Sequence, residues 1–90
     1  MQLARFLNKL FKKNGFILVN AYSKKYIIGT PSKRNPITVT ILNKKLHYKL
    51  ILRPDLYFGE AYCDGDIKIE NGTLTDFLDI ALMNIGRGEL

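Results

Sequence analysis

Residues 66–85 read DIKIENGTLTDFLDIALMNI, and two different hydrophobic periods meet inside them. From Asp66 to Glu70 apolar and polar side chains alternate with period two, the mark of a half-buried strand. Asn71-Gly72 supplies a turn. Thr73 and Asp76 then stand three apart, the spacing at which each side chain reaches the other's backbone N–H and opens a helix. Leu74, Phe77, Leu78, Ala81, Leu82 and Ile85 form one apolar stripe along that helix, which Gly86 closes. A strand delivered straight into a capped amphipathic helix predicts helices packed on a sheet.

The same alternation of elements continues toward the N-terminus. Cys63-Asp-Gly65 reads as a turn and residues 55–62 as a short helical segment. Pro54 stops a preceding helix over 43–52, in which Leu46 and Leu50 lie four apart with Lys45 and Lys49 paired beside them. Ile37-Thr-Val-Thr-Ile41 alternates as a strand, expected to run antiparallel to an earlier hairpin. That hairpin is formed by Phe16–Asn20 and Lys25–Ile28, and Gly29 to Pro36 is the connection after it. Leu3, Phe6, Leu7, Leu10 and Phe11 predict an amphipathic helix over 2–13, with Arg5, Lys9, Lys12 and Lys13 on its other side and Asn14-Gly15 at its end. The order α-β-β-β-α-α-β-α describes an α+β domain with a small, largely antiparallel sheet and packed helices.

Ninety residues, 47% of them hydrophobic and 24% charged, hold one globular core, so residues 1–90 are read as a single domain. One cysteine, Cys63, and one histidine, His47, provide neither an intramolecular disulfide nor a zinc ligand set. No glycine-rich phosphate loop occurs in the sequence, and His47, among lysines on a helix, is read as a boundary residue without catalytic role. Cys63 lies beside Asp64 and near Glu60, a negative setting that disfavours a thiolate and marks a structural cysteine. Glu60, Asp64 and Asp66 are read as turn formers in preference to metal ligands, and the aromatic residues as core. The longest apolar runs fall far below the roughly 20 residues that span a bilayer. The expected location is cytoplasmic.

Charge divides the chain in two. Residues 1–54 contain twelve basic residues and no acid, whereas residues 55–90 contain eight acids and only Lys68 and Arg87 as bases. A basic half of this kind recruits an anionic surface, at about 1 kcal/mol per basic residue near a charged membrane. Mutual neutralisation of the two halves is the alternative.

The run PITVTILNKKLHYKLILRPDLYFGEAYCDGDIKIENGTLTDFLDIALMN, residues 36–84, resembles the N-terminal domain of bacterial cyclopropane-fatty-acyl-phospholipid synthases and related S-adenosylmethionine-dependent methyltransferases. The family pattern is close to L-x-(L/F)-G-E-(A/S)-Y-M-D-G, and the segment here is Leu56-Tyr-Phe-Gly-Glu-Ala-Tyr-Cys-Asp-Gly65. Cys63 stands where methionine is common, which implies a packing role for it. The resemblance further implies a non-catalytic domain, similar in architecture to sterol carrier proteins, that helps engage phospholipid. A Rossmann-like methyltransferase domain would follow beyond Leu90 and transfer a methylene or methyl group to unsaturated acyl chains. S-adenosylmethionine and bicarbonate would bind there, so no catalytic, cofactor or metal residue carries over to this chain, which alone is expected to be inactive.

On that reading Lys9, Lys12, Lys13, Lys44, Lys45, Lys49 and Arg53 are the candidates for lipid head-group contact. The motif residues Gly59, Glu60, Tyr62, Asp64 and Gly65 would hold a turn or dock the catalytic domain. The expected partners are an anionic phospholipid surface at the inner face of the membrane and the chain's own methyltransferase domain, not nucleic acid. A freestanding carrier of fatty acyl or sterol-like ligands is the rival reading.

Overall fold

The structure, a computed structural model, describes residues 1–12 and 14–85. Helix α1 (Gln2–Leu10) leads into strands β1 (Gly15–Val19), β2 (Lys25–Gly29) and β3 (Thr38–Ile41). Helices α2 (Leu46–Leu52) and α3 (Pro54–Asp64), strand β4 (Ile67–Glu70) and helix α4 (Leu74–Ile85) complete the chain. The α+β class and the element order match the sequence reading.

The four strands form one sheet in the order β2-β1-β3-β4. β1 and β2 pair antiparallel with Phe16 opposite Ile28, and β3 and β4 pair antiparallel with Val39 opposite Ile69. β1 and β3 run parallel, with Leu18 opposite Val39, so the sheet is mixed and the antiparallel placing of β3 is corrected. Alternation along Ile37–Ile41 fixes which face each side chain takes, but it carries no information on strand direction.

One face of the sheet presents Phe16, Leu18, Ile28, Val39, Ile41 and Ile67, all buried. Leu3, Ala4 and Phe11 from the α1 segment, Leu46 and Leu50 from α2, Ala61 from α3 and Phe77 from α4 join them in a single cluster. Its centre is aromatic. The Phe16 ring meets Phe11 and Phe77 edge-on, at 5.0 Å each, and Phe58 stacks on Phe77 at 4.7 Å. Such contacts add about 0.5–1.5 kcal/mol per pair beyond burial, and they join α1, β1, α3 and α4.

This packing explains where α1 stops. The sequence predicts a helix to residue 13, yet Phe11 is already extended at φ −96°, ψ 92°. That turn directs its ring into the core against Phe16. Beyond it the chain passes so close to β2 that a Cβ on Gly29 would lie 2.3 Å from the Asn14 carbonyl oxygen, and Gly29 has φ +66°. Only glycine fits there.

At the other end of the chain the sequence signal is met in full. Thr73 N–H donates to the Asp76 carboxylate at 3.0 Å and Asp76 N–H donates to Thr73 Oγ1 at 3.1 Å, so a reciprocal cap opens α4. The expected stripe is wider than the buried face. Phe77 is buried and Leu74 and Ala81 are half-buried, whereas Leu78 and Leu82 are exposed.

Candidate functional site

α2 positions the most unusual surface among the described residues. Leu46 and Leu50 point into the core, and a helix advances about 100° per residue, so Tyr48 and Leu52 must face away from it. They are 71% and 73% exposed. Asn43 shapes the entry to the helix, its carbonyl accepting from Leu46 N–H at 3.1 Å and its side-chain oxygen from Lys45 N–H at 3.0 Å. Lys44 and Lys45, just before α2, and Lys49, within it, are all exposed. Lys49 Nζ lies 5.5 Å from the centre of the Tyr57 ring and Lys44 Nζ 5.2 Å from that of Tyr22. Aromatic faces thus hold both ammonium groups.

Tyr22 reaches this surface from the β1–β2 turn. Asn20 is buried, and its side-chain oxygen accepts from Tyr22 N–H at 2.9 Å and Lys24 N–H at 3.0 Å. With Ser23 at φ +64°, these bonds fix a tight reversal that leaves Tyr22 59% exposed. Between the turn, the start of α1 and α2 lies an open cleft of about 250 Å³, lined by Met1, Gln2, Leu3, Tyr22, Lys44, His47, Tyr48 and Ile51.

His47 ties the cleft together. Ala21 N–H donates to His47 Nε2 at 3.2 Å, which requires a neutral ring with its proton on Nδ1. Burial lowers its pKa from the usual 6.5, because desolvation penalises the imidazolium. The two effects agree.

Of the seven lysine and arginine candidates, Lys44 and Lys45 directly precede α2, Lys49 lies within it and Arg53 directly follows it. Lys9 sits in the last turn of α1 and Lys12 two residues beyond its end, whereas the N-terminal end of that helix lines the cleft. A rise of about 1.5 Å per residue places them a helix-length away from it. Lys13 lies outside the described residues.

The motif residues resolve differently. Gly65, at φ +79°, terminates α3: its N–H donates to the Tyr62 carbonyl at 3.3 Å, and Asp66 N–H donates to the Ala61 carbonyl at 2.8 Å. The turn is therefore a backbone device. Gly59, Glu60, Tyr62 and Asp64 are exposed on α3, and a Cβ on Gly59 would meet nothing within 4 Å. Cys63 is exposed too, which corrects its reading as a packing residue. Ala61 is the buried position of that turn, and two residues onward a helix faces the opposite way.

Sequence reasoning passed over Tyr22, Tyr48 and Leu52. Assigning the aromatics to the core holds for Phe11, Phe16 and Phe77 but fails for Tyr22, Tyr48 and Tyr62. The signal for Tyr48 and Leu52 was present in the spacing of Leu46 and Leu50. Among the described residues no helix is long and apolar enough to cross a membrane, and no three His, Cys, Asp or Glu side chains converge as metal ligands. Comparison with protein-family models, with curated proteins and with solved structures finds no match.

Proposed function

We propose that this chain is a membrane-docking domain that places the basic and apolar surface around α2 on an anionic phospholipid bilayer. The carrying observation is the pairing of Tyr48 and Leu52, both more than two-thirds exposed, with Lys44, Lys45 and Lys49 in a half of the chain that has no acid. An exposed leucine beside lysines costs solubility in water but gains at an interface, where the apolar side chain is buried and the ammonium groups meet phosphates. Full burial of a leucine contributes about 1.5–3 kcal/mol and each interfacial lysine about 1 kcal/mol, enough together for reversible surface binding.

The sequence resemblance supplies the purpose of such docking. The domain would bring a following S-adenosylmethionine-dependent methyltransferase of the cyclopropane-fatty-acyl-phospholipid synthase type to its acyl-chain substrate, taking no part in the chemistry. The exposed Glu60, Tyr62 and Asp64 of α3 would then meet that domain. The carrier reading is less favoured by the cleft, whose 250 Å³ is below the roughly 300–1,000 Å³ of sites that enclose a drug-sized ligand.

Flotation on phosphatidylglycerol and on phosphatidylcholine vesicles, at low and high salt, tests the reading. Salt-sensitive flotation on the anionic vesicles supports it, because screening weakens exposed charge contacts. Flotation on neither overturns it, as does binding of single-stranded nucleic acid with steep salt dependence in place of vesicles.

A further inference from the structure

The α2 surface contains a concave element that general charge attraction does not require. Four of the residues lining the cleft, Gln2, Tyr22, Lys44 and Tyr48, carry side chains that can donate hydrogen bonds. Leu3 and Ile51 are its apolar lining. No acid occurs before Asp55, so none of the lining residues is a carboxylate that would repel an anion. Lys44 is already drawn toward the cleft by the Tyr22 ring, which limits the side-chain entropy lost when it takes an anionic partner.

Size narrows the ligand. At about 250 Å³ the cleft is smaller than the roughly 300–1,000 Å³ of sites that enclose a drug-sized ligand. That suits a small ester of the size of glycerol phosphate. Beside the opening, Tyr48 and Leu52 offer apolar surface where chains would remain in the bilayer.

We propose that this cleft is a phosphate-ester site, with Lys44 as its charged contact and the Tyr22 and Tyr48 hydroxyls as its neutral donors. The bond from Ala21 to His47 fixes the spacing between the hairpin tip that carries Tyr22 and the helix that carries Tyr48. His47 is a positioning residue here. The identification of the ester as a phospholipid head group rests on the docking reading; the phosphate chemistry does not.

The test is an amide-resolved NMR titration of the chain with glycerol 3-phosphate against sodium chloride of equal ionic strength, on the parent and on Lys44→Gln and Lys45→Gln. The two substitutions remove the same charge from adjacent exposed positions, but only Lys44 lines the cleft. Saturating shifts centred on Ala21, Tyr22, Lys44 and Tyr48 are expected. Lys44→Gln should weaken binding about tenfold, the scale of one charge-assisted hydrogen bond, and Lys45→Gln less than twofold. Equal effects of the two substitutions, or shifts that chloride reproduces, overturn the site. Competition by glycerol 3-phosphate against phosphatidylglycerol vesicles identifies the lipid as the source. Saturable cleft binding without any flotation leaves the site in place for a soluble ester and removes the docking reading instead.

Discussion

Asn8 completes the outer edge of β2 for Gly29: its side-chain oxygen accepts from Gly29 N–H at 2.8 Å while its Nδ2 donates to the Ile27 carbonyl at 3.3 Å. A carboxamide on a helix thus substitutes for a neighbouring strand, covering a sheet edge that would otherwise offer unpaired groups to another chain. The same Nδ2 is within 3.1 Å of the Ala4 carbonyl, which keeps the side chain aligned.

Replacing Asn8 with Ala should cost about 1 kcal/mol of stability, the net value of an ordinary hydrogen bond with the better helix propensity of alanine set against it. Asn8→Asp retains the acceptor for Gly29 but sets a carboxylate against the Ile27 carbonyl. Urea denaturation measures the first effect. Sedimentation at rising concentration should show greater self-association for Asn8→Ala than for the parent, and equal association would separate the carboxamide from edge protection.

The neutral state of His47 makes stability depend on pH. Its folded pKa lies below the unfolded value of 6.5, so the unfolded chain takes up the proton first. The contribution is fully present above 6.5 and is lost as pH falls from there through the folded pKa. Desolvation of the ring is the cause of the shift, and the Tyr22 ring is its aromatic neighbour at 6.0 Å. Denaturation midpoints at pH 7.5 and pH 5 should therefore differ in the parent. His47→Gln should reduce the difference, and an unchanged difference would assign it to carboxylates elsewhere.

Two glycines make opposite demands. Gly29→Ala combines a positive φ with a Cβ that would clash with backbone oxygens of Asn14 and Phe11, so a loss of more than about 2 kcal/mol is expected. Gly59→Ala places a methyl in open space on α3 and should stabilise by up to about 1 kcal/mol through helix propensity. Thermal melts distinguish the two directly.

The sequence revealed the elements more clearly than the surface. Thr73, Asp76 and the period of residues 66–85 announce β4 and α4 because capping and alternation are local. The parallel pairing of β1 and β3 depends on how residues 30–37 cross the sheet, which no local pattern records. Charge counting placed Lys9 and Lys12 with Lys44, Lys45 and Lys49, because a count along the chain has no geometry. The outward turn of Tyr48 and Leu52 was implied by Leu46 and Leu50. It gained meaning only when Tyr22 arrived beside Lys44 from a distant turn, held there by the buried Asn20.

Membrane docking through α2 is tested most directly by a fluorescent probe placed on it. The chain has no tryptophan, so Leu52→Trp introduces a single reporter at a 73% exposed site, and Ile27→Trp places a control on the uncovered face of the sheet at 66% exposure. With phosphatidylglycerol vesicles the emission of the Leu52→Trp protein should shift to the blue and be quenched by brominated acyl chains, while that of the Ile27→Trp protein stays unchanged. An unshifted signal at residue 52, or equal shifts at both positions, would contradict docking through this surface.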